Sequence, residues 1–123
     1  MKLGLLALSV CVSLVATSAR AVDGKTVVQR CNHAYMQSVK TQSKVNEQDA
    51  AWCYGYITSL IDATKAYQSM INVAPPFCFR EKPDISVILL AIVGIGPSDP
   101  SSLERNGSEM LINVFRSLYP CAK

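Results

Sequence analysis

The stretch EQDAAWCYGYITSLIDATKAYQSMIN, residues 47–72, decides the fold. Its inward positions, which are mostly apolar, recur at steps of three and four, the spacing of one helix face. These positions are Ala50, Cys53, Ile57, Leu60, Thr64, Tyr67 and Ile71. Asn46 followed by Glu47 and Asp49 is typical of a helix start, because acidic side chains favour the positive end of the helix dipole. Since Ala74-Pro75-Pro76 stops a helix, the sequence predicts one long helix over residues 47–72.

A neighbouring face of the same helix carries small residues. Ala51, Gly55, Ser59 and Ala63 repeat at four-residue spacing. Small side chains in a row let another helix approach closely. We therefore expect a second helix to pack against this stripe.

The chain on either side of the long helix predicts shorter helices. Asp23 can cap a helix over residues 24–39, whose apolar residues share one face. Ser101 with Glu104 matches a capping box and predicts a short helical piece. Ser108 can start a last helix. The fold class is therefore all-α, a small bundle of about four to five helices.

Residues 85–95 are nearly all apolar, so periodicity alone leaves helix and buried strand both open. Their β-branched content favours a strand, whereas the Pro83-Asp84 start and the helical surroundings favour a helix, which we expect. Gly94 and Gly96 then end this helix, and residues 97–100 form a turn.

The chain begins with an export signal. Met1-Lys2 supplies a basic start, residues 3–15 are an apolar run, and Ala19-Arg20-Ala21 is a cleavage signal. The run is shorter than the roughly 18 residues that a membrane-spanning helix needs. A lipid anchor on Cys11 is disfavoured because a bulky valine precedes it. The sequence predicts a signal peptide over residues 1–21 and one exported domain over residues 22–123.

Four cysteines remain after the signal peptide. They are Cys31, Cys53, Cys78 and Cys121. An even number of cysteines in a small exported protein predicts two disulfides, for which three connectivities exist. The first two cysteines flank the first connector at equal distances, where an antiparallel helix pair places them face to face. The last two each follow the end of a helix at the same pole. This layout predicts the pairs Cys31–Cys53 and Cys78–Cys121. We expect no metal site, since no close cysteine pair is present, and no cofactor.

Charge and motifs exclude several classes of function. The chain has 12 Lys+Arg against 9 Asp+Glu, a net charge of +3, and no basic block, so we expect no nucleic-acid binding. No catalytic motif is present and His33 is the sole histidine, so we expect no enzyme activity. Trp52, Tyr54 and Tyr56 could form a recognition patch, but we favour ordinary helix packing.

Four motifs, taken in order, resemble the Rap/Tai family of type VI secretion immunity proteins. They are Trp52-Cys53-Tyr54-Gly55-Tyr56-Ile57, Asp62-Ala63, Phe77-Cys78 and Leu118-Tyr119-Pro120-Cys121. The resemblance spans about residues 31–121. It implies a periplasmic immunity protein that binds a secreted peptidoglycan amidase effector and blocks its active site. Residues 85–95 could overfill a small core, and part of them could then lie in a homodimer interface, which the resemblance makes plausible. The sequence alone leaves core and interface both open.

Two exposed connectors are the candidate partner-binding segments. The first is a polar loop braced by proline, which we expect to enter a hydrolase cleft. It consists of Gly96, Pro97, Ser98 and Asp99. The second carries Arg80 and Glu81, charges inserted between the Phe-Cys motif and the next proline. An alternative function is a small periplasmic helical chaperone or stress-related binding module, which holdase activity toward a denatured client would favour.

Overall fold

The computed structural model describes residues 20–122, and these form a helical bundle. Its elements are α1 (Gly24–Ser38), α2 (Glu47–Ile71), α3 (Ile85–Ser98), a 3₁₀ helix (Pro100–Glu104) and α4 (Gly107–Leu118). Within this range the only β-type pairing is one isolated bridge between Asp23 and Asn106. The all-α prediction is confirmed. The expected signal peptide lies almost entirely outside the described residues.

Side-chain caps fix where the α-helices begin. Asp23 accepts a hydrogen bond from the backbone N–H of Thr26 at 2.8 Å, as an N-cap should. Asn46, Asp84 and Asn106 do the same for α2, α3 and α4. The caps predicted at Asp23, Asn46 and Asp84 are confirmed. α4 starts one residue earlier than expected, because the cap is Asn106 and not a later side chain.

Residues 85–95 are helical, as expected, and belong to α3. The helix ends later than predicted. Gly94, Gly96 and Pro97 lie inside it, and it continues to Ser98. A glycine costs a helix only about 1 kcal/mol relative to alanine, which tertiary packing can override. The last turn is closed by the Asp99 N–H, which donates to the carbonyl oxygen of Ile95 at 2.7 Å.

α1 is the central element and contacts α2, α3, α4 and the 3₁₀ helix. The core contains side chains from every α-helix and one from the connector after α2. Its members are Val27, Cys31, Ala34, Ala50, Cys53, Ile57, Ile61, Phe77, Ile88, Leu89, Ile92, Met110, Leu111, Val114 and Phe115. No polar or charged residue of the described chain is buried among them. The bundle is therefore stabilised by apolar burial and by covalent links.

Both predicted disulfides are confirmed. Cys31–Cys53 joins α1 to α2 inside the core, with the two Cα atoms 5.1 Å apart. Cys78–Cys121 joins the connector after α2 to the chain beyond α4, with a Cα separation of 4.8 Å. A disulfide typically stabilises a domain by about 2–4 kcal/mol, largely by restricting the unfolded chain.

Aromatic rings surround the Cys78–Cys121 pole. Phe77 meets the edge of Phe115 at a centroid distance of 5.0 Å, and Phe79 meets Tyr119 at 4.7 Å. The Cys78 N–H also donates to the carbonyl oxygen of Tyr119 at 2.8 Å. Edge-to-face pairs of this kind add stability beyond their buried area. The Phe-Cys-Phe segment is thus anchored to the end of α4.

Two predictions about α2 were wrong, and its length explains the first. α2 has 25 residues and α1 has 15, so α2 extends about 15 Å beyond the helix it packs against. Tyr67 and Ile71, expected inward, are exposed on this extension. The small-residue stripe is exposed as well, and a Cβ added at Gly55 would meet nothing within 4 Å. No helix of the described residues packs there.

Candidate functional site

The segment of residues 80–83 projects from the anchored aromatic pole. Its base is fixed by the disulfide at Cys78 and by the contact of Phe79 with the end of α4. Arg80 and Glu81 are exposed beyond that base. A charged segment on a rigid support is a suitable surface for a protein partner, because little conformational freedom is lost when it binds.

Open clefts border this segment on both sides. One, of about 640 Å³, lies toward the end of α4 and is lined by Asp84 and Tyr119 among others. The other, of about 560 Å³, lies toward α2 and is lined by Lys65 and Gln68. Partial burial raises the pKa of the Tyr119 phenol above its ordinary value of 10.0, while backbone hydrogen bonding at Asp84 opposes that rise.

The candidate residues Gly96, Pro97, Ser98 and Asp99 form a helix end and not a projecting loop. The Ser98 hydroxyl donates to a backbone carbonyl one turn earlier, at 2.7 Å. The Asp99 carboxylate accepts hydrogen bonds from the hydroxyls of Ser101 and Ser102. These bonds hold the pKa of Asp99 below its ordinary value of 3.8. Both side chains are exposed, but their hydrogen bonds stay within the chain.

The structure does not bring the two candidate segments together. Residues 80–83 precede α3 and residues 96–99 end it. The 14 residues of α3 separate them by about 20 Å. A single small cleft of a partner therefore cannot hold both segments, and each would make a separate contact.

An exposed apolar surface at the end of α2 was missed by the sequence reasoning. Four large side chains there are exposed, namely Tyr67 (60%), Met70 (81%), Ile71 (45%) and Val73 (47%). We name these four residues the apolar tip. Beside them runs an apolar groove of about 360 Å³, which reaches Ile112 of α4. The sequence feature that could have revealed this surface is the absence of charged residues from residue 66 to residue 79.

The apolar tip and residues 80–83 form neighbouring surfaces. Thr64 and Gln68 of α2 line both the apolar groove and the 560 Å³ cleft. An apolar centre beside a charged margin is the usual composition of a protein–protein interface. Aromatic residues and methionine are enriched at such centres. The composition therefore favours protein binding over small-molecule chemistry.

The aromatic run on α2 packs, as the sequence analysis favoured. The Tyr54 hydroxyl donates to the carbonyl oxygen of Ala34 at 3.3 Å, and the Tyr56 hydroxyl lies 2.8 Å from the Ser108 hydroxyl. The Trp52 ring stacks on Tyr56 with centroids 4.8 Å apart. These rings join α2 to α1 and α4.

His33 has a structural contact of the same kind. Its Nδ1 accepts a hydrogen bond from the Asn46 backbone N–H at 3.2 Å, and its Nε2 lies 3.9 Å from the Asp49 carboxylate. These contacts join α1 to the start of α2. The sole histidine is thus placed where it positions a helix end.

Residues 20–122 contain neither a cluster of metal-binding side chains nor a membrane-spanning helix. No three His, Cys, Asp or Glu side chains in this range cluster as a metal ion would require. None of the helices there combines the length and apolar character needed to cross a bilayer.

Comparison with known proteins identifies the family. A family model described as Rap1a immunity proteins matches residues 23–121, which include all four α-helices and both disulfides. No curated protein matches the chain, and no solved structure matches it. The match covers most of the 123 residues and agrees with the resemblance of the four motifs. The chain therefore belongs to the Rap1a immunity protein family.

Proposed function

We propose that this protein is a periplasmic type VI secretion immunity protein that binds a peptidoglycan amidase effector and blocks its active site. The observation that carries the proposal is the family match over residues 23–121. Export by a signal peptide over residues 1–21 accounts for the two disulfides, which persist in oxidising compartments such as the periplasm. The protein acts as a binding partner and performs no chemistry of its own.

Inhibition by binding depends on a rigid scaffold. Two disulfides, an apolar core and four capped α-helices hold the backbone in one arrangement. A preorganised surface binds more tightly because fewer side chains and loops must be ordered on association. This rigidity suits a protein that must stay bound to a delivered toxin.

The apolar tip and the adjacent residues 80–83 are the surface that we propose for the effector. Tyr67 and Met70 supply exposed apolar anchors, and Arg80 and Glu81 supply charges at the margin. A few anchors of this type carry most of the energy of a protein interface. Gly96, Pro97, Ser98 and Asp99, about 20 Å away at the far end of α3, form a second proposed contact.

A titration of the effector's amidase activity tests these contacts. Tyr67→Ser combined with Met70→Ser should weaken effector binding by about 10–100-fold, because two anchors are lost. The matched control is Val39→Ser, an exposed apolar residue at the end of α1.

Ser98→Ala combined with Asp99→Ala tests the second contact in the same assay. Inhibition unchanged by both double variants would place the binding surface elsewhere.

A homodimer is proposed through the outer face of α3. Ile88, Leu89 and Ile92 fill the core, which leaves Val87 and Leu90 exposed on a helix with no charged residue. A second copy would cover this face. Sedimentation of the wild type should give a dimer and that of Leu90→Glu a monomer. A monomeric wild type would reject the proposal.

The exposed apolar tip also favours the alternative function, a periplasmic helical chaperone or stress-related module. A holdase binds unfolded chains through exposed apolar surface. Suppression of the aggregation of several unrelated denatured clients would support a chaperone. Capture of one amidase from a periplasmic extract, with stoichiometric loss of its activity, would support the immunity function instead.

A further inference from the structure

We propose that Cys78–Cys121 is a site of thiol–disulfide exchange in the folded protein, open to dithiol reductants, while Cys31–Cys53 is closed to them. This inference does not depend on the proposed function. It predicts a folded form of the protein with one disulfide, in which the chain around residues 78–83 is loosened.

The two disulfides differ in exposure. The side chains of Cys31 and Cys53 are 0% exposed and lie between α1 and α2. Cys78 and Cys121 are only partly buried, and both lie outside the helices. Thiol–disulfide exchange requires direct access to a sulfur atom. Only the second disulfide offers that access without unfolding.

The surroundings of Cys78 provide an entry path. Cys78 lines both the 640 Å³ and the 560 Å³ clefts beside residues 80–83. The rims of these clefts carry Lys65, Arg80 and Lys82, together with Glu81 and Asp84. The positive and negative charges nearly cancel. Solvent access to the sulfur atoms is therefore the property that distinguishes Cys78–Cys121 from Cys31–Cys53.

The exchange reaction follows from this placement. The thiolate of a dithiol attacks the Sγ of Cys78, the S–S bond breaks, and its electron pair leaves with the Sγ of Cys121. The Cys121 thiolate takes a proton from water. The second thiol of the reagent then attacks the mixed disulfide, so the reagent closes its own disulfide and Cys78 is released as a thiolate that also takes up a proton. The protein gains two electrons and two protons, and the dithiol loses the same.

The fold should persist after the exchange. The Cys78 N–H donates to Tyr119, and Phe77 and Phe79 pack on Phe115 and Tyr119, so contacts other than the S–S bond also link this segment to the end of α4. The Cys121 sulfur lies 3.6 Å from the carbonyl oxygen of Pro75, to which a free thiol can donate a weak hydrogen bond. Cys121 also lies beyond Leu118, the last residue of α4, so its release disturbs no helix.

Timed reduction of the native protein tests the inference. The protein is incubated with dithiothreitol, quenched with iodoacetamide and mapped by peptide mass spectrometry, with helicity followed in parallel. Cys78 and Cys121 should be alkylated at least about 100-fold faster than Cys31 and Cys53, since the core disulfide reacts only in the small unfolded fraction. Low urea should accelerate only the core disulfide. Alkylation of all four cysteines at one rate, or only after helicity is lost, would overturn the inference.

Trypsin measures the loosening of the segment. Cleavage after Arg80 should be roughly tenfold faster or more when Cys78–Cys121 is open, because local opening becomes easier. Lys44, in the exposed connector between α1 and α2, is the internal control, and cleavage there should not change. Equal cleavage after Arg80 in both forms would contradict the loosening. Both readouts use the protein alone, so a failure of the immunity proposal would not affect them.

Discussion

Individual side chains determine where the helices begin and how closely they meet. Asp23, Asn46 and Asp84 were predictable as caps, because a cap depends only on residues within one helical turn. The role of Gly107 was not predictable. It is buried against Val27 and the backbone of Val22, which are distant in sequence. A contact between distant residues leaves no local signal.

Gly107→Ala should destabilise the protein. A Cβ at this position would lie 2.6 Å from a methyl of Val27 and 2.9 Å from the carbonyl oxygen of Val22. Overpacking of this kind costs about 1–3 kcal/mol, measured as the free energy of unfolding in urea. Gly55→Ala is the matched control, because its Cβ meets nothing and should raise stability by up to about 1 kcal/mol. Equal stability of the Gly107→Ala variant and the wild type would contradict the close contact.

Asp23 should contribute to acid sensitivity. The Thr26 N–H bonds its carboxylate and lowers its pKa from 3.8, so the folded state favours the charged form. Its contribution is present above pH 3.8 and is lost as the pH falls through the lowered value. Asp23→Asn keeps the cap but cannot titrate, so its urea midpoint should fall less in this acid range. Asp62→Asn is the control, and identical acid profiles of Asp23→Asn and the wild type would contradict the account.

The length of each helix, compared with that of its neighbours, decides which face is buried. The helical periodicity of α2 continues through Tyr67 and Ile71, but α1 is ten residues shorter and cannot cover them. Periodicity predicts a face and does not predict the partner's length. In α3, two glycines and Pro97 predicted an early end, yet hydrogen bonding at Ser98 and Asp99 completes another turn. The buried face of α2 was thus mispredicted because a neighbouring helix is too short, and the end of α3 because local hydrogen bonds extend the helix past its glycines.

Two isoleucines of α2 should therefore differ in their contribution to stability. Ile57 is fully buried, so Ile57→Ala should cost about 2–5 kcal/mol. Ile71 belongs to the exposed apolar tip, so Ile71→Ala should change the free energy of unfolding by less than about 0.5 kcal/mol. Urea unfolding of both variants measures the difference. A large loss at Ile71 would mean that the extension of α2 is covered.

The whole molecule combines a covalently stabilised core with an uncovered apolar end. The fold class and both disulfide pairings were predictable, because the number of cysteines and the order of the helices leave few arrangements. The proposed binding surface was not predictable, since exposure of the apolar tip depends on how the helices assemble. Its apolar residues resemble core residues in sequence, and only the structure separates them.

Growth of cells that export a peptidoglycan amidase effector encoded beside this gene tests the central claim most directly. The wild-type protein should protect the cells from lysis, and Tyr67→Ser combined with Met70→Ser should protect them poorly at equal abundance. Lysis that proceeds unchanged while the folded, disulfide-bonded wild type accumulates in the periplasm would contradict the account.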